Sequence, residues 1–342
     1  MATDQRTEIV LPGVVAPDDL QVRTTPIPAP ATGQLVIRME ATGVSFAEQQ
    51  MRRGRYYDQP SFPFVPGYDL VGVVQTIGAG VDPALRGQRV AALTKVGGWA
   101  SHVVVDAAYA VPVPAGLDPA EAETVVVNGI TAWQMLHRKA RVLAGQTILV
   151  HGANGGVGST LVQLARLAGA QVIGTASPRH HDMLRDLGVT PIDYHADVPA
   201  AVRALAPGGV DAVFDHLGTR SVPESWRLLA PGGTLVAYGT AATRDDTGSK
   251  HLPVLKVLAR IWVWHALPNG RRAYFYNIWA GRVLVKQRFR ARLRHDLTQV
   301  LNAMAQQQIA AQIAARFPLA RAADALCLAE SGAVTGKVVL IP

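Results

Sequence analysis

The chain is poor in cysteine: Cys327 stands alone among 342 residues. That excludes a disulfide within the chain and a cysteine-rich zinc lobe. Charged residues make up only 17 % and apolar residues 49 %, a balance that gives a large core and argues against disorder. Long apolar runs are missing as well. The longest such zone, 252–267, is interrupted by Lys256, Arg260 and His265, so it is too short and too charged to span a bilayer. The opening residues 1–6 are polar and carry no signal-peptide core, which makes the cytoplasm the expected compartment.

Acidic residues are locally absent. Between Lys250 and Arg294 there are eleven Lys or Arg and no Asp or Glu, in a chain of net charge +8. Trp262, Trp264, Tyr274, Phe275, Tyr276, Trp279 and Phe289 are interleaved with them. Such a stretch is compatible with anionic lipid or an acidic partner, and it shares features with nucleic-acid footprints. Ordinary structure accounts for much of it. Residues 273–279 have strand character, and 284–304 read as an amphipathic helix with its arginines outward, a solvated basic face. No nucleic-acid partner is expected; a membrane surface stays open as an alternative.

What the chain does have is a glycine turn in a telling place. A buried-type strand, 147–150, runs into Ala153-Asn154-Gly155-Gly156-Val157-Gly158 and then a helix over 159–167. Gly155 lets the backbone approach a pyrophosphate, Gly158 lets the helix pack on the strand, and the helix N-terminus offers N–H groups to phosphate. Ala153 replaces the usual first glycine, which a slightly wider turn tolerates. A tight turn with no ligand is the alternative, but the full strand–turn–helix–strand context is present. The second strand, 171–177, ends without the acid that would hold a free ribose 2′-hydroxyl. It continues instead into Ser177, Pro178, Arg179, His180 and His181. A hydroxyl, a guanidinium and an imidazole suit a 2′-phosphate, so NADPH is expected over NADH. The competing reading is that Arg179 and the histidines begin a solvated helix over 178–187.

Residues 1–124 read as short strands punctuated by Pro and Gly (34–41, 72–77, 89–93 and 100–105), which predicts an all-β, barrel-like domain. From 125 to 308 strands and helices alternate. Strands are expected at 147–150, 171–175, 191–194, 211–215, 234–239 and 273–279, with a helix at 131–139 before the first. Their apolar runs suit a parallel sheet covered on both faces. The tail, 309–342, returns to strand–helix–strand character and is expected to rejoin the first domain. The fold class is therefore α/β with a β-barrel partner.

Several segments together resemble a known superfamily: Gly43-Val-Ser-Phe-Ala-Glu48, Pro66-Gly-Tyr-Asp69, Val127-Asn-Gly-Ile-Thr-Ala132, Ala153-Asn-Gly-Gly-Val-Gly158, Gly174-Thr-Ala-Ser177, Pro191-Ile-Asp-Tyr-His195 and Gly336-Lys-Val338. The chain is similar to the medium-chain dehydrogenases and reductases. Within them it most resembles the zinc-independent quinone oxidoreductases, on the branch of the vesicle amine transport protein-like reductases. The resemblance implies a GroES-like catalytic domain, a Rossmann coenzyme domain and a homodimer joined by sheet edges. It places Tyr194 near the adenosine phosphate with Ser177 and Arg179, with His180 where relatives often carry Lys. It places Thr131 against the nicotinamide amide, Asn128, Leu217 and Gly239 along the coenzyme, and Lys337 beside the nicotinamide ribose. Zinc relatives carry Gly-His-Glu where this chain has Gly67-Tyr68-Asp69, and His102, His137 and His151 are scattered rather than spaced as ligands, so no metal is expected.

A hydride acceptor that needs no Lewis acid is a conjugated carbonyl or quinone, because charge spreads to a distant oxygen. The site then needs hydrogen-bond donors and a proton source. The candidate donors are Ser45, Tyr56, Tyr57 and Lys337; Tyr56 stands as the pocket tyrosine does in the resembling reductases, and Ser45 stands where many relatives have Asn. The expected activity is NADPH-dependent reduction of a quinone or α,β-unsaturated carbonyl. Two alternatives remain at this stage. One is a nucleotide-binding adaptor attached to membrane or protein. The other is a tailoring enoyl reductase for long apolar substrates, lined by the bulky residues of 262–279.

Overall fold

The computed structural model describes residues 5–239, 241, 248–249 and 251–342; Lys250, one end of the acid-free stretch, lies outside them. The chain opens with a hairpin of β1 (Gln5–Val10) and β2 (Gln21–Pro26), followed by β3 (Gln34–Val44), α1 (Phe46–Arg52), β4 (Asp69–Ile77), β5 (Arg89–Leu93), β6 (His102–Asp106) and β7 (Val111–Pro112). Two short helices, α2 (Pro119–Thr124) and α3 (Val127–Trp133), come next, and α3 runs on into a π-helical segment, Gln134–Ala140. That segment stops at Arg141, which takes the left-handed conformation with φ 55°, a common way for a helix to end.

The alternating part contains β8 (Thr147–Val150), α4 (Gly156–Leu167), β9 (Gln171–Ala176), α5 (His181–Asp186), β10 (Val189–Asp193), α6 (Val198–Leu205), β11 (Val210–Asp215), α7 (Val222–Arg227), β12 (Leu229–Ala237), α8 (Leu252–His265) and β13 (Arg272–Phe275). Then follow α9 (Lys286–Ala305), β14 (Ile313–Pro318), α10 (Ala322–Glu330) and β15 (Lys337–Ile341).

Two compact units result. One takes in residues up to Ile130 together with Gly281–Pro342, and the other is Thr131–Ala280. The divisions thus fall at 130/131 and 280/281, where the sequence pattern placed them at 124/125 and 308/309. The difference lies mainly in α9. Its periodicity shows a buried face but not what that face meets. Phe289 sets its ring edge-on to Tyr109, 6.2 Å between centroids. Val300 lies so close to Gly129 that a Cβ there would come within 2.6 Å of it. Both partners belong to the first unit.

In the first unit, among the described residues, a seven-stranded sheet runs β14-β15-β3-β4-β5-β7, with β6 also paired to β3. Strand β3 is its centre. One edge of β3 pairs with β4, and the other is shared by β6 near its start and β15 near its end. Because β4 and β15 both run antiparallel to β3, the end of β3 meets the starts of β4 and β15. One rim therefore gathers Gly43 to Ser45, Asp69 and Lys337. This is the GroES-like architecture.

The second unit is a six-stranded parallel sheet of order β10-β9-β8-β11-β12-β13 among the described residues. Leu149, Ile173, Val213 and Leu235 share one core cluster with Val202 of α6, Trp226 of α7, and Val257 and Ile261 of α8. The strand order reverses between β8 and β11, which puts the ligand crevice of such a Rossmann sheet at the carboxyl ends of these strands. Strand β12 begins at Leu229, before the expected 234, and carries Gly232 and Gly233 through a register irregularity against β11. A bulge of this kind breaks the apolar pattern by which a strand is recognised.

Candidate active site

The β3–β4–β15 rim holds a group of buried charges. The Lys337 ammonium lies 3.0 and 2.8 Å from the two carboxylate oxygens of Asp69, 2.6 Å from Glu123 Oε1 and 3.5 Å from the Glu123 carbonyl. Asp69 Oδ2 also accepts from the Val127 amide at 2.8 Å. Lys337, Asp69 and Glu123 are all buried. A Cβ on Gly43 would sit 2.2 Å from Lys337 Cε and 2.5 Å from Glu123 Oε1, so the lysine passes only because position 43 has no side chain. Burial alone would lower the Lys337 pKa, but the charges of Asp69 and Glu123 prevail and hold the ammonium above its ordinary range. Burial pushes the Glu123 carboxyl up, against the pull of Lys337.

Ser45 caps α1. Its Oγ accepts from the Ala47 amide at 3.2 Å and donates to Glu48, whose carboxylate returns to the Ser45 amide at 2.8 Å. This reciprocal capping box stabilises the first turn. Glu48 is itself buried, and burial raises its pKa, with Asp69's charge adding to the rise.

Tyr56 and Tyr68 are both buried, and their hydroxyls lie 2.9 Å apart. The Tyr57 ring leans on Tyr56 at 4.8 Å. Burial pushes the Tyr56 phenol far above its usual range, with the neighbouring tyrosines adding to the shift. Burial raises Tyr57 too. Both therefore remain neutral donors at any physiological pH.

The candidate donors thus divide. Tyr56 belongs to a tyrosine pair, Ser45 is turned toward Glu48, and the Lys337 ammonium is enclosed by carboxylates. Its contacts with Asp69 and Glu123 make Lys337 the charge that organises the rim. Asp69, Glu123, Glu48 and Tyr68 were not singled out from sequence. The available signal was an aspartate opening an otherwise apolar strand, Asp69-Leu-Val-Gly-Val-Val, since a buried acid demands a partner.

In the second unit Gly155 is the N-cap of α4, with no capping side chain and no acid in the first turn. A Cβ on Gly155 would meet only the Gly152 carbonyl, at 3.4 Å, whereas one on Gly158 would lie 2.1 Å from that same oxygen. Gly158 is thus needed for the turn to close, while Gly155 borders open space at the helix N-terminus. Gly156 and Val157 form the half-buried first turn. Ala153 is fully buried, its methyl packed toward Gly174 and its amide donating to the Thr175 carbonyl. It therefore shapes the turn from beneath.

Strands β9 and β10 end side by side, Ala176 opposite Asp193. That brings half-buried Ser177, exposed Arg179 and exposed Tyr194 to the same rim. His180 turns inward. It is buried, and its Nε2 accepts from Arg179 Nε at 3.1 Å. Burial, then the charges of Arg179 and His181, lower its pKa. It is a neutral ring that orients the guanidinium, not a second cation. Asn128 and Thr131 are buried on α3, with Asn128 Nδ2 donating to the Thr124 carbonyl at 3.0 Å.

Beneath the turn runs a polar chain that sequence did not disclose. Asp215 accepts from the amides of Leu217 and Gly218 and from Ser221 and Ser225. Ser225 Oγ lies 3.2 Å from His151 Nε2, His151 Nδ1 lies 3.4 Å from Thr175 Oγ1, and Thr175 Oγ1 accepts from the Gly152 amide at 3.1 Å. Gly152 has φ +64°, and a Cβ there would come within 2.4 Å of the His216 ring. Gly239 likewise abuts the His216 carbonyl.

An uncapped helix N-terminus after a close-packed glycine turn fits a pyrophosphate, and the acid-free β9 end with Arg179 fits a phosphorylated ribose. Zinc does not fit: Asp69 and Glu123 are already bound by an ammonium, Tyr68 stands between Gly67 and Asp69, and no group of three or more His, Cys, Asp or Glu among the described residues could hold a metal ion.

Comparison with known proteins gives the family. Residues 31–115 match the alcohol dehydrogenase GroES-like domain and residues 187–340 the zinc-binding dehydrogenase family. The human synaptic vesicle membrane protein VAT-1 homolog is 35 % identical over 349 residues, covering 98 % of this chain and 86 % of that protein. A quinone oxidoreductase from Pseudomonas syringae pv. Tomato DC3000 superposes with a TM-score of 0.84 at 26 % identity, over 98 % of this chain and 100 % of that one. A mycobacterial protein solved in complex with NADPH gives 0.82 at 26 % identity, over the same 98 % and 100 %. With its GroES-like unit, its Rossmann unit and these relatives, the chain is a member of the medium-chain dehydrogenase/reductase superfamily, an oxidoreductase of the branch that includes the VAT-1 homologues and the quinone oxidoreductases.

Proposed function

We propose that this oxidoreductase uses NADPH to reduce quinones or α,β-unsaturated carbonyl compounds. The observation that carries the coenzyme choice is the end of β9: Ser177 and Arg179 stand beside the end of β10 with no acid to favour a free 2′-hydroxyl. The mycobacterial relative in complex with NADPH supports the same choice. NADPH, when bound, supplies a hydride. Arg179, oriented by His180, and Ser177 hold the 2′-phosphate, and the α4 N-terminus takes the pyrophosphate.

On the substrate side the protein's part is to stabilise negative charge on oxygen. Tyr56, neutral because it is buried, donates a hydrogen bond to the developing enolate or hydroquinone oxygen, and Tyr68 holds the Tyr56 hydroxyl in place. Lys337 stays with its carboxylates and offsets their charge at the strand ends. The quinone oxidoreductase neighbour supports a small conjugated substrate. The reading extends to a homodimer in the cytoplasm; among the described residues no helix is long and apolar enough to cross a membrane.

The test is spectrophotometric. Loss of NADPH absorbance is expected with 1,4-benzoquinone, 9,10-phenanthrenequinone or an alkenal, and Tyr56→Phe should slow it. Tight NADPH binding without turnover on a broad quinone and enone panel would overturn the activity.

A further inference from the structure

The three buried acids of the first unit's rim are not alike in what surrounds them. Asp69 takes the Lys337 ammonium on both carboxylate oxygens and the Val127 amide besides, and Glu123 Oε1 meets the same ammonium. An ammonium has three N–H bonds, and Lys337 directs its own at Asp69 and Glu123, leaving none for Glu48. Glu48 is nevertheless only 1 % exposed. Its Oε2 accepts from the Ser45 amide at 2.8 Å and lies against the Ser45 hydroxyl. Its Oε1 is buried with no hydrogen-bond partner among the described residues.

An ionised carboxylate in that position would be a buried charge with one oxygen unsatisfied, a costly arrangement. A neutral carboxyl fits better. Its O–H donates to Ser45 Oγ, whose other lone pair accepts from the Ala47 amide at 3.2 Å. The contact described for the helix cap then runs in the opposite sense, and the Ser45 hydroxyl hydrogen can turn away from Glu48. Ser45 is half-buried where Glu48 is closed off, so the hydroxyl is the outer member of the pair. Burial, the largest influence, favours the neutral acid. The Ser45 hydrogen bond opposes it, the Asp69 charge on β4 adds to it, and the residue's own backbone and the Lys337 charge on β15 oppose it more weakly.

We propose that Glu48 stores the proton for the reduction and that Ser45 passes it to the substrate. The role rests on the quinone or enone reduction proposed above. Hydride addition to the β carbon of an enone forms a C–H bond and shifts the π electrons to the carbonyl oxygen; addition to a quinone leaves the hydroquinone monoanion. The Ser45 O–H bond breaks as its proton joins that oxygen, giving the enol or the hydroquinone. The Glu48 O–H bond breaks in turn and its proton restores the serine hydroxyl. Glu48 is left as a carboxylate against the Ser45 amide and hydroxyl, and is reprotonated from water through Ser45 once product leaves. Tyr56 gives the oxygen a hydrogen bond, but burial makes its phenol too weak an acid to be the proton's source.

Glu48→Gln is the informative variant, because glutamine completes a capping box as glutamate does but has no acidic proton to give. Infrared difference spectra of parent against variant at pH 7, without coenzyme or substrate, should show a protonated-carboxyl C=O band that the variant lacks and that moves in heavy water. With an enone that the parent reduces, Glu48→Gln should lower kcat roughly tenfold or more and leave NADPH affinity unchanged. The parent's kcat should fall as rising pH ionises Glu48, and the variant's profile should lack that basic limb. Ser45→Ala should be comparably slow, and the double variant no slower than either, since both changes interrupt one proton path. Should Glu48→Gln fail to fold, Glu48→Asp, which keeps an acid, must retain the carboxyl band and the basic limb.

Absence of the band in the parent would show an ionised Glu48 and overturn the proposal. So would a Glu48→Gln rate close to the parent's, or losses that add in the double variant, which would leave Glu48 as a helix cap alone. A parent protein that turns over no quinone or enone would overturn the reductase reading and this role with it; an active parent beside an equally active Glu48→Gln overturns this role only.

Discussion

At the scale of single residues, Lys337 has the most to lose. Its ammonium neutralises carboxylates that have no route to water, since Lys337, Asp69 and Glu123 are all 3 % exposed or less. Replacing it with Met would keep the apolar stem and strand two buried acids. Breaking a buried ion pair from one side costs about 3–5 kcal/mol, and urea or guanidinium denaturation of Lys337→Met should show a loss of that order. A loss under about 1 kcal/mol would mean that the acids are already neutral without the lysine. Arg179 sits at the opposite extreme, exposed and concerned with a ligand. Arg179→Ala should leave stability nearly unchanged and weaken NADPH by roughly 1–3 kcal/mol, as for a lost charge-assisted contact, with little effect on NADH. Equal losses in coenzyme titrations would show that Arg179 does not meet the 2′-phosphate. The two residues were unequally legible. Arg179 lies within a local pattern that a sequence displays, whereas Lys337 meets Asp69 across 268 positions, and no local pattern encodes such a pairing.

At the scale of elements, the turn from β8 into α4 shows two glycines with separate duties. A methyl group at Gly158 would collide with a backbone carbonyl at 2.1 Å, which cannot swing aside as a side chain can. At Gly155 the nearest atom is an ordinary 3.4 Å away. Gly158→Ala should therefore destabilise the protein by about 1–3 kcal/mol, the usual cost of forced overpacking. Gly155→Val should melt near the parent temperature and yet lose both NADPH and NADH, because its side chain would fill the space in front of the helix N-terminus. Thermal melts paired with coenzyme titrations separate the two; a cold-labile Gly155→Val would put that glycine in the fold instead. The glycine turn and the apolar runs of β8, β9 and β11 were legible because their patterns are local. The attachment of α9 to the first unit was not, because an amphipathic face records that it is covered and not by what. Nor was the early start of β12, whose Pro231-Gly232-Gly233 reads as a loop.

At the scale of the whole molecule, buried histidines couple folding to acid. Burial is the leading cause that lowers the pKa of His102, His151, His180 and His216, and His216, packed against Gly152, is brought down from 6.5 to about 4. Between those two values the unfolded chain takes up a proton at His216 that the native protein refuses, so stability falls as the pH falls through this window. Lys337 works elsewhere: its pKa is raised in the fold, so its contribution is complete throughout the acid and neutral range and fades only above its ordinary 10.5. Glu48 and Glu123 act against the histidines. Their raised values mean that the native state holds protons the unfolded chain has released above 4.5, so acidification favours the fold through them. The total slope is therefore a balance, and the informative quantity is the difference between the parent protein and His216→Asn. As the pH drops from about 6.5 to about 4, the parent should lose stability relative to the variant, by up to about 1.4 kcal/mol per pH unit, the limit for a single proton. Denaturant titrations at half-unit steps would reveal it, and a difference that stays flat across the window would show that His216 takes up its proton in the folded protein as readily as in water.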